Sequence, residues 1–347
     1  MRGGITRAGL LRAGVFFLLL AAIPLLGAPG WVLSTLIFTI MYAGLASSWN
    51  LVGGYAGYPS LGHVAFFGIG AYAIGILFSK DVYGGYLPFL VLPLIGLAVG
   101  LVAVPIGWVS MRTRADVFAI VTITILFIAQ TLAFNLKGVT GGAQGASVAP
   151  PPFGVDTFDW PFYFAMLILL AVAMGVSFYF RNSKIGLSLA TVRADEDKAH
   201  GVGVRVTAVK LISFGVSAGL VAMAGGIWAY YVGFIYPQFA IDPLITIGMV
   251  LMTFLGGRAT LWGPVLGAFI LIPVQEYFAQ AFGASELYLI AYAAVFLIII
   301  LFLPRGILPT ITQRMRSRRA RRTADGTADG AGSPSEQTTP REATVNR

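Results

Sequence analysis

The sequence lacks cysteine and carries few charges. With no cysteine among its 347 residues, it cannot form a disulfide, a thiolate metal site or a cysteine nucleophile. Charged residues make up only 11% of the chain, whereas a soluble domain carries about 25%. No GxxxxGK[ST] phosphate loop is present, which excludes ATP binding by that route. A hydrophobic content of 57% indicates a membrane protein. Because the phosphate loop is missing, we expect it to have no nucleotide-driven motor of its own.

The apolar residues fall into about ten runs that are long enough to cross a hydrocarbon core of about 30 Å. We predict an all-α, polytopic membrane helix bundle whose transmembrane or re-entrant helices lie at residues 13–28, 31–50, 60–78, 86–110, 115–136, 161–180, 209–231, 244–257, 262–282 and 286–303. Arginines precede the first run as in a signal peptide, but the cleavage site is poor, so we predict a retained span. The stretch NLVGGYAGYPSLGH is either a turn between two spans or a break within a re-entrant segment.

Basic residues set the predicted orientation, because lysine and arginine near span ends resist translocation. With both termini cytoplasmic, only Lys80 and Lys137 fall on the outer side. The predicted regions are a basic cytoplasmic N-terminus at 1–12, a membrane domain at 13–303 with a cytoplasmic loop at 181–208, and a cytoplasmic tail at 304–347. We expect the basic, polar tail to be disordered and to attract anionic membrane lipid. Since no folded soluble domain accompanies it, we expect no nucleic acid binding.

The cytoplasmic loop is the most charged internal stretch of the chain. It is either a solvated connector that only sets topology or an ordered element. Residues 188–200 contain no glycine or proline, and Leu189, Val192 and Ala199 give a helix one apolar stripe. The glycines that follow, including Gly203, are typical helix stops. We therefore predict one short amphipathic helix parallel to the membrane, with an exposed acidic cluster that docks on a separate ATPase subunit.

Glycine clusters inside apolar segments point to a transport site, because broken helices leave backbone groups free to bind a ligand. The alternative is that each glycine only allows close helix packing. Two clusters stand out, one after residue 52 and one after residue 255. Our candidate path residues are Gly53, Gly54, Gly62, His63, Gly142, Gly256, Gly257 and Glu276.

Three of these positions carry their own alternatives. His63 is either a packed, neutral histidine bonded to a backbone carbonyl or a gating or substrate contact. Glu276 faces a wet cavity or a cation, or else it reaches outward to the membrane surface. The outer segment 137–160, which contains Gly142, is either a docking surface for a binding protein or a flexible connector. No set of side chains has the spacing of a metal site.

Five stretches of the sequence carry a family resemblance. They are WNLVGGYAGYPSLGHVAFFGIGAYAIGIL (49–77), DVFAIVTITILFIAQTL (116–132), VTGGAQGAS (139–147), GLSLATVRADEDKAHGVGV (186–204) and FLGGRATLWGPVLGAFI (254–270). Together they resemble the membrane subunits of branched-chain amino-acid ABC importers, and most closely the M-type permease. The resemblance implies a multi-pass transport subunit of the bacterial plasma (inner) membrane that is not itself an enzyme.

The resemblance also implies partners. They are a homologous permease subunit, two ATP-binding subunits that bind ATP and Mg²⁺, and an extracytoplasmic substrate-binding protein; this chain itself needs no cofactor. The cytoplasmic loop resembles the coupling helix that fits a cleft on the ATPase. Including the whole acidic cluster, our candidate coupling residues are Arg193, Asp195, Glu196, Asp197, Ala199 and Gly203.

The sequence departs from the family pattern at a few positions. Tyr58 and Pro59 stand where relatives commonly have other residues, and Ala259 replaces a usual glycine after Arg258. Related permeases carry urea, short amides or sugars, so those cargoes remain alternatives. A secondary transporter driven by an ion gradient is a further alternative, although Glu276 is nearly the only carboxylate inside an apolar run. A membrane-embedded enzyme is disfavoured because no catalytic set of side chains is apparent.

Overall fold

The protein is a bundle of apolar helices with one small strand pair. The computed structural model describes residues 7–79, 84–282 and 306–313, together with 294 and 297. The helices are α1 (Arg7–Leu25), α2 (Gly30–Asn50), α3 (His63–Leu77), α4 (Leu87–Ser110), α5 (Ala115–Asn135), α6 (Lys137–Thr140), α7 (Asp159–Asn182), α8 (Lys184–Ala194), α9 (Glu196–Gly201), α10 (Val206–Val232), α11 (Pro237–Ala240), α12 (Pro243–Gly256) and α13 (Gly263–Phe282). The strands are β1 (Ala146–Ser147) and β2 (Phe234–Ile235).

The predicted spans agree with these helices wherever the structure describes them. Each of the nine predicted spans up to residue 282 coincides with a helix, and the tenth, 286–303, lies outside the described residues. Six helical segments in the described part are long and apolar enough to cross a membrane. They are Gly30–Ala56, Leu87–Ser110, Ala115–Asn135, Val155–Asn182, Val206–Val232 and Pro237–Gly256. The count of ten spans and the cytoplasmic termini stay predictions, as does the disordered tail, of which residues 307–313 are helical.

Helix α10 is the central helix of the bundle and packs mainly against α3 and α4. Glycines make its contact with α4 unusually close. A Cβ placed on Gly219 would lie 2.5 Å from the carbonyl oxygen of Gly96, and one on Gly215 would lie 3.0 Å from that of Gly100. Both helices therefore carry glycines four residues apart, the pattern that lets membrane helices approach backbone to backbone.

The contact of α10 with α3 is equally tight. A Cβ on Gly225 would overlap the carbonyl oxygen of Phe67, and a Cβ on Gly70 would overlap that of Ala222. Lipid tails are as apolar as leucine, so such helices are held by van der Waals packing rather than by a hydrophobic gain. The middle of α10 is consequently fixed by shape.

Helix α2 does not end in a simple turn. It continues as a π-helical segment, Leu51–Ala56, and Gly57 then ends the helix in the left-handed region with φ of 77°. Residues 57–62, which we call the break, are not helical. Backbone groups left free by a broken helix need internal partners when they are buried, and the break has them: Leu61 N–H donates to Thr122 Oγ1 at 3.0 Å, and Trp49 Nε1 donates to the Ser60 carbonyl at 2.7 Å.

The outer segment between α5 and α7 is ordered by backbone contacts. Strand β1 pairs antiparallel with β2, and Ala146 lies opposite Ile235. Ala149 N–H also donates to the carbonyl of Phe78 at 3.0 Å. The segment is thereby tied to the ends of α3 and α10, which is contrary to the flexible-connector alternative.

Candidate functional site

The charged loop forms two helices instead of the predicted single helix over 188–200. Asp195 separates α8 from α9 with an extended backbone, φ −166° and ψ 112°. Its carboxylate Oδ1 accepts a hydrogen bond from the backbone N–H of Lys198 at 3.0 Å. Aspartate is among the strongest N-cap residues, and this local bond competes with a continuous helix. The prediction missed the cap because it counted Asp195 only as an acidic surface residue.

The apolar stripe and the glycine stop of the loop are confirmed. Leu189, Val192 and Ala199 are all buried. Gly203 has φ of +80°, and Val204 N–H donates to the carbonyl of Ala199 at 3.1 Å. This six-to-one bond across a left-handed glycine is the Schellman ending of a helix. The loop is therefore an ordered element packed on the bundle.

Glu196 does not share in the predicted exposed acidic cluster. While Asp197 is exposed, Glu196 turns inward, and its Oε1 lies 2.7 Å from the ammonium of Lys210, a lysine that is only 2% exposed. The same ammonium donates to the hydroxyl of Tyr58 and to the carbonyl of Met111, both at 3.0 Å. Tyr58 in turn donates its hydroxyl hydrogen to Glu196 Oε2. We call these four groups the ionic cluster.

The protonation states in the ionic cluster follow from its contacts. Partial burial by itself would raise the pKa of Glu196, but hydrogen bonds from Lys210 and Tyr58 outweigh it, and the pKa is lowered. Burial raises the pKa of Tyr58, and the neighbouring Glu196 carboxylate raises it further. The carboxylate is thus charged and the phenol neutral, which matches a Tyr58 hydroxyl that donates to Glu196.

Arg193 forms a second contact between the loop and the break. Its Nη1 donates to the carbonyl of Gly54 in the π-helical segment at 2.9 Å. Its aliphatic stem lies on Gly57, where a Cβ would come within 2.6 Å of Arg193 Cγ. Burial lowers the pKa of Arg193, and the nearby charge of Arg258 lowers it further. Three residues that the orientation assigns to the cytoplasmic side, Arg193, Lys210 and Arg258, thus surround one end of the bundle.

The second glycine cluster meets the first at the same place. Asn50, at the end of α2, donates to the carbonyl of Thr260 at 3.0 Å, and its Oδ1 accepts from the backbone N–H of Ala259 at 2.8 Å. A Cβ on Gly54 would overlap that Oδ1. Ala259 has φ of +58°, the positive region that favours glycine. A glycine would adopt this conformation without strain, and the hydrogen bond to Asn50 holds alanine in it.

The glycines predicted to line a path are packed against protein. A Cβ would overlap the Trp49 ring at Gly53, the Thr122 carbonyl at Gly62 and the Gly263 carbonyl at Gly256. Gly257 has φ of 122°, which also favours glycine. Close packing therefore accounts for these glycines, and a role in the path stays a prediction.

His63 is a buried, hydrogen-bonded residue, but its partner is not the expected backbone carbonyl. Its Nε2 lies 2.9 Å from Ser217 Oγ, and that hydroxyl donates to the carbonyl of Ser48 at 2.7 Å. Because the serine hydrogen is used there, Nε2 carries the proton that Ser217 accepts. His63 thus joins α3 to α10 and α2.

Glu276 and Gly142 are not brought together with the other candidates. Glu276 is partly exposed and lies 13 residues along α13 from Gly263, about 20 Å at the helical rise of 1.5 Å per residue. No hydrogen bond or ion pair to it occurs within the described residues. Gly142 is buried beyond the far end of α5, in the outer segment. Both assignments stay predictions.

Two residues of the site were not predicted as such. Lys210 was counted only as a topology marker, because a lysine beside a span normally ends in water. Tyr58 was noted only as a departure from the family pattern. The sequence carried one signal: Tyr58 lies within an apolar, glycine-rich break, where a phenol hydroxyl needs a partner. Of three acidic neighbours, Glu196, the residue after the N-cap Asp195, is that partner.

The overall arrangement defines a class: a polytopic helical membrane protein with an ordered polar loop packed on a broken helix. Residues 31–303 match the family of the branched-chain amino acid transport system / permease component. The chain belongs to this family. No solved structure matches the chain.

Individual relatives agree with the family match. The high-affinity branched-chain amino acid transport system permease protein LivM of Salmonella typhimurium (strain LT2) is 27% identical over 311 residues, which cover 81% of this chain and 70% of the relative. LivM of Escherichia coli (strain K12) is 26% identical over the same lengths. A shorter match, 28% identical over 41% of this chain and 39% of the relative, is to the autoinducer 2 import system permease protein LsrC of Yersinia pseudotuberculosis (serotype O:1b).

Proposed function

We propose that this chain forms part of the translocation path of an ABC importer for branched-chain or other hydrophobic amino acids in the bacterial plasma (inner) membrane. The observation that carries the proposal is the contact of the charged loop with the π-helical segment, through Arg193 to Gly54, and with the break, through Glu196 to Tyr58. A transport subunit without a phosphate loop needs such a contact, because movement has to reach its spans from a separate ATPase.

The outer face of the loop is the proposed docking surface for the ATP-binding subunits. Asp197 and Gly203 are exposed there, and Asp195 is partly exposed. Two such subunits bind ATP and Mg²⁺ and hydrolyse the nucleotide, while this chain transmits the movement. On the opposite side, the ordered segment 137–160 offers a surface for the extracytoplasmic binding protein.

A homologous permease completes the path. Of the six membrane-capable helices in the described part, α5 is the least buried. Its exposed face carries Thr124, Thr131 and Asn135, at a spacing of seven and four, together with large apolar side chains such as Ile120 and Ile128. Membrane helices associate through van der Waals packing and interhelical hydrogen bonds, which apolar and hydroxyl side chains can both supply. Because the predicted path glycines are packed, this face of α5 is the better candidate for the surface shared with the second permease.

The experiment is uptake by the complete complex in proteoliposomes. With ATP and Mg²⁺ inside, and the binding protein and radiolabelled leucine outside, we expect uptake that isoleucine and valine compete and that urea and ribose do not. Competition by urea or a sugar instead would favour those cargoes. Uptake that persists without ATP but stops when a proton or sodium gradient is dissipated would contradict the proposal and favour a secondary transporter.

A further inference from the structure

Lys210 is bonded more completely than its position beside the cytoplasm requires. The side chain is 2% exposed. An ammonium has three hydrogen-bond donors, and all three are used, on Glu196 Oε1, the Tyr58 hydroxyl and the Met111 carbonyl. A lysine that only marked topology would extend to water, where its charge is solvated.

The partners of Lys210 come from three different parts of the chain. Tyr58 belongs to the break, Met111 follows α4, and Glu196 begins α9, while Lys210 itself lies in the first turns of α10. A buried ion pair contributes little net stability but depends strongly on geometry, because removing one partner leaves the other charge uncompensated. The ionic cluster therefore fixes where α9 sits relative to the break.

The remaining charges on α9 have no such role. Lys198 is 83% exposed and pairs with Asp195 at 2.9 Å within the same turn. Glu196 is partly exposed, 32%, so water reaches its outer side and can replace a bond if α9 shifts. Within the described residues, the pair of Glu196 with Lys210 in the ionic cluster is thus the ion pair that links the loop to another segment of the bundle.

Building on the proposed function, we infer that Lys210 is a positioning residue for coupled transport. By holding Glu196 and Tyr58 together, it transfers a displacement of α9 to the break between α2 and α3. Without it, the ATP-binding subunits still dock on the exposed face of the loop and hydrolyse ATP, but the break no longer follows α9. Cargo moved per ATP hydrolysed therefore falls, while hydrolysis itself continues.

The test is the ratio of leucine transported to ATP hydrolysed by the complete reconstituted complex. For Lys210→Met we expect this ratio to fall at least about tenfold with ATP hydrolysis retained, since breaking a buried pair is strongly unfavourable. The matched control is Lys184→Met, which removes an exposed lysine at the start of α8; its ratio should equal that of the wild type. The double variant Lys210→Glu with Glu196→Lys restores opposite charges and should recover part of the ratio.

The outcomes separate the inference from the proposed function. If the wild-type complex hydrolyses ATP without moving leucine, the proposed function fails. If the wild type couples and Lys210→Met couples equally well, only the role of Lys210 is overturned. Should Lys210→Met fail to assemble, Tyr58→Phe decides, because it removes one hydroxyl and keeps the ring. An unchanged ratio in Tyr58→Phe would then overturn the inference.

Discussion

The middle of α10 and its loop-side end are held in opposite ways. In the middle, Gly215, Gly219 and Gly225 bring backbones of neighbouring helices into direct contact. At the loop-side end, Lys210 reaches three separate segments through directed polar bonds. Shape complementarity has one solution and tolerates little change, whereas polar bonds at a partly wet edge can break and form again.

This difference separates the rigidly packed middle of α10 from its loop-side end, whose polar bonds can rearrange. The glycine contacts make α3, α4 and α10 one packed unit, and a substitution there acts on folding. The contacts of the loop set the position of α9, and we expect a substitution there to act mainly on coupling. Four substitutions test the comparison, from the largest expected effect to the smallest.

Gly225→Leu should have the largest effect. Its side chain would begin where the Phe67 carbonyl lies, and overpacking of a rigid core costs about 3 kcal/mol or more. We expect little folded protein in detergent, measured by size-exclusion chromatography and thermal unfolding. Gly175→Leu is the matched control, since a Cβ at Gly175 meets nothing within 4 Å. Equal yields of the two variants would contradict the close-contact account.

Glu196→Lys should come second. It places a second cation beside Lys210, and loss of a partly buried pair of this kind costs about 2–3 kcal/mol. We expect a folded but less stable protein whose complex no longer takes up cargo, measured by thermal unfolding and by uptake in proteoliposomes. Wild-type uptake by this variant would show that the loop-side end does not carry coupling.

Ala259→Gly should give a smaller change of opposite sign. Alanine at φ of +58° is strained by about 1–2 kcal/mol relative to a right-handed residue, and glycine loses part of that gain through its freer unfolded chain. We expect stabilisation by about 0.5–1 kcal/mol in thermal unfolding. A loss of stability would indicate that alanine is not strained at this position.

Lys198→Met should have the smallest effect. The pair of Lys198 with Asp195 is exposed, 83% and 36%, and solvent screens such pairs so that they contribute little to stability. Thermal unfolding should therefore match the wild type closely. A loss as large as that of Glu196→Lys would remove the distinction between the two ion pairs of the loop.

The sequence predicted the helices better than the contacts between them. Long apolar runs determine where spans lie, and the stripe of Leu189, Val192 and Ala199 correctly indicated a packed loop. The cap at Asp195 was missed because one continuous helix and two helices separated by an N-cap residue have nearly the same composition. The burial of Lys210 depends on Tyr58, 152 residues away, and no local pattern carries such a contact.

The sequence contains the signal for the glycine contacts of α10, but the prediction did not include them. Gly96 and Gly100, and likewise Gly215 and Gly219, follow the small-residue spacing that promotes close helix pairing. The prediction rested instead on the denser clusters near residues 54 and 257, where several glycines together resemble a broken helix. There the structure shows both a real break and close packing, so density of glycine alone did not distinguish the two.

The strand pair and Lys210 lie at opposite ends of α10. With 27 residues, α10 is about 40 Å long at the helical rise of 1.5 Å per residue, and β2 follows directly after it. The pairing of β2 with β1 therefore lies just beyond the C-terminal end of α10, and Lys210 lies near its N-terminal end. A displacement of the strand pair and a displacement of the ionic cluster would therefore act on the same helix.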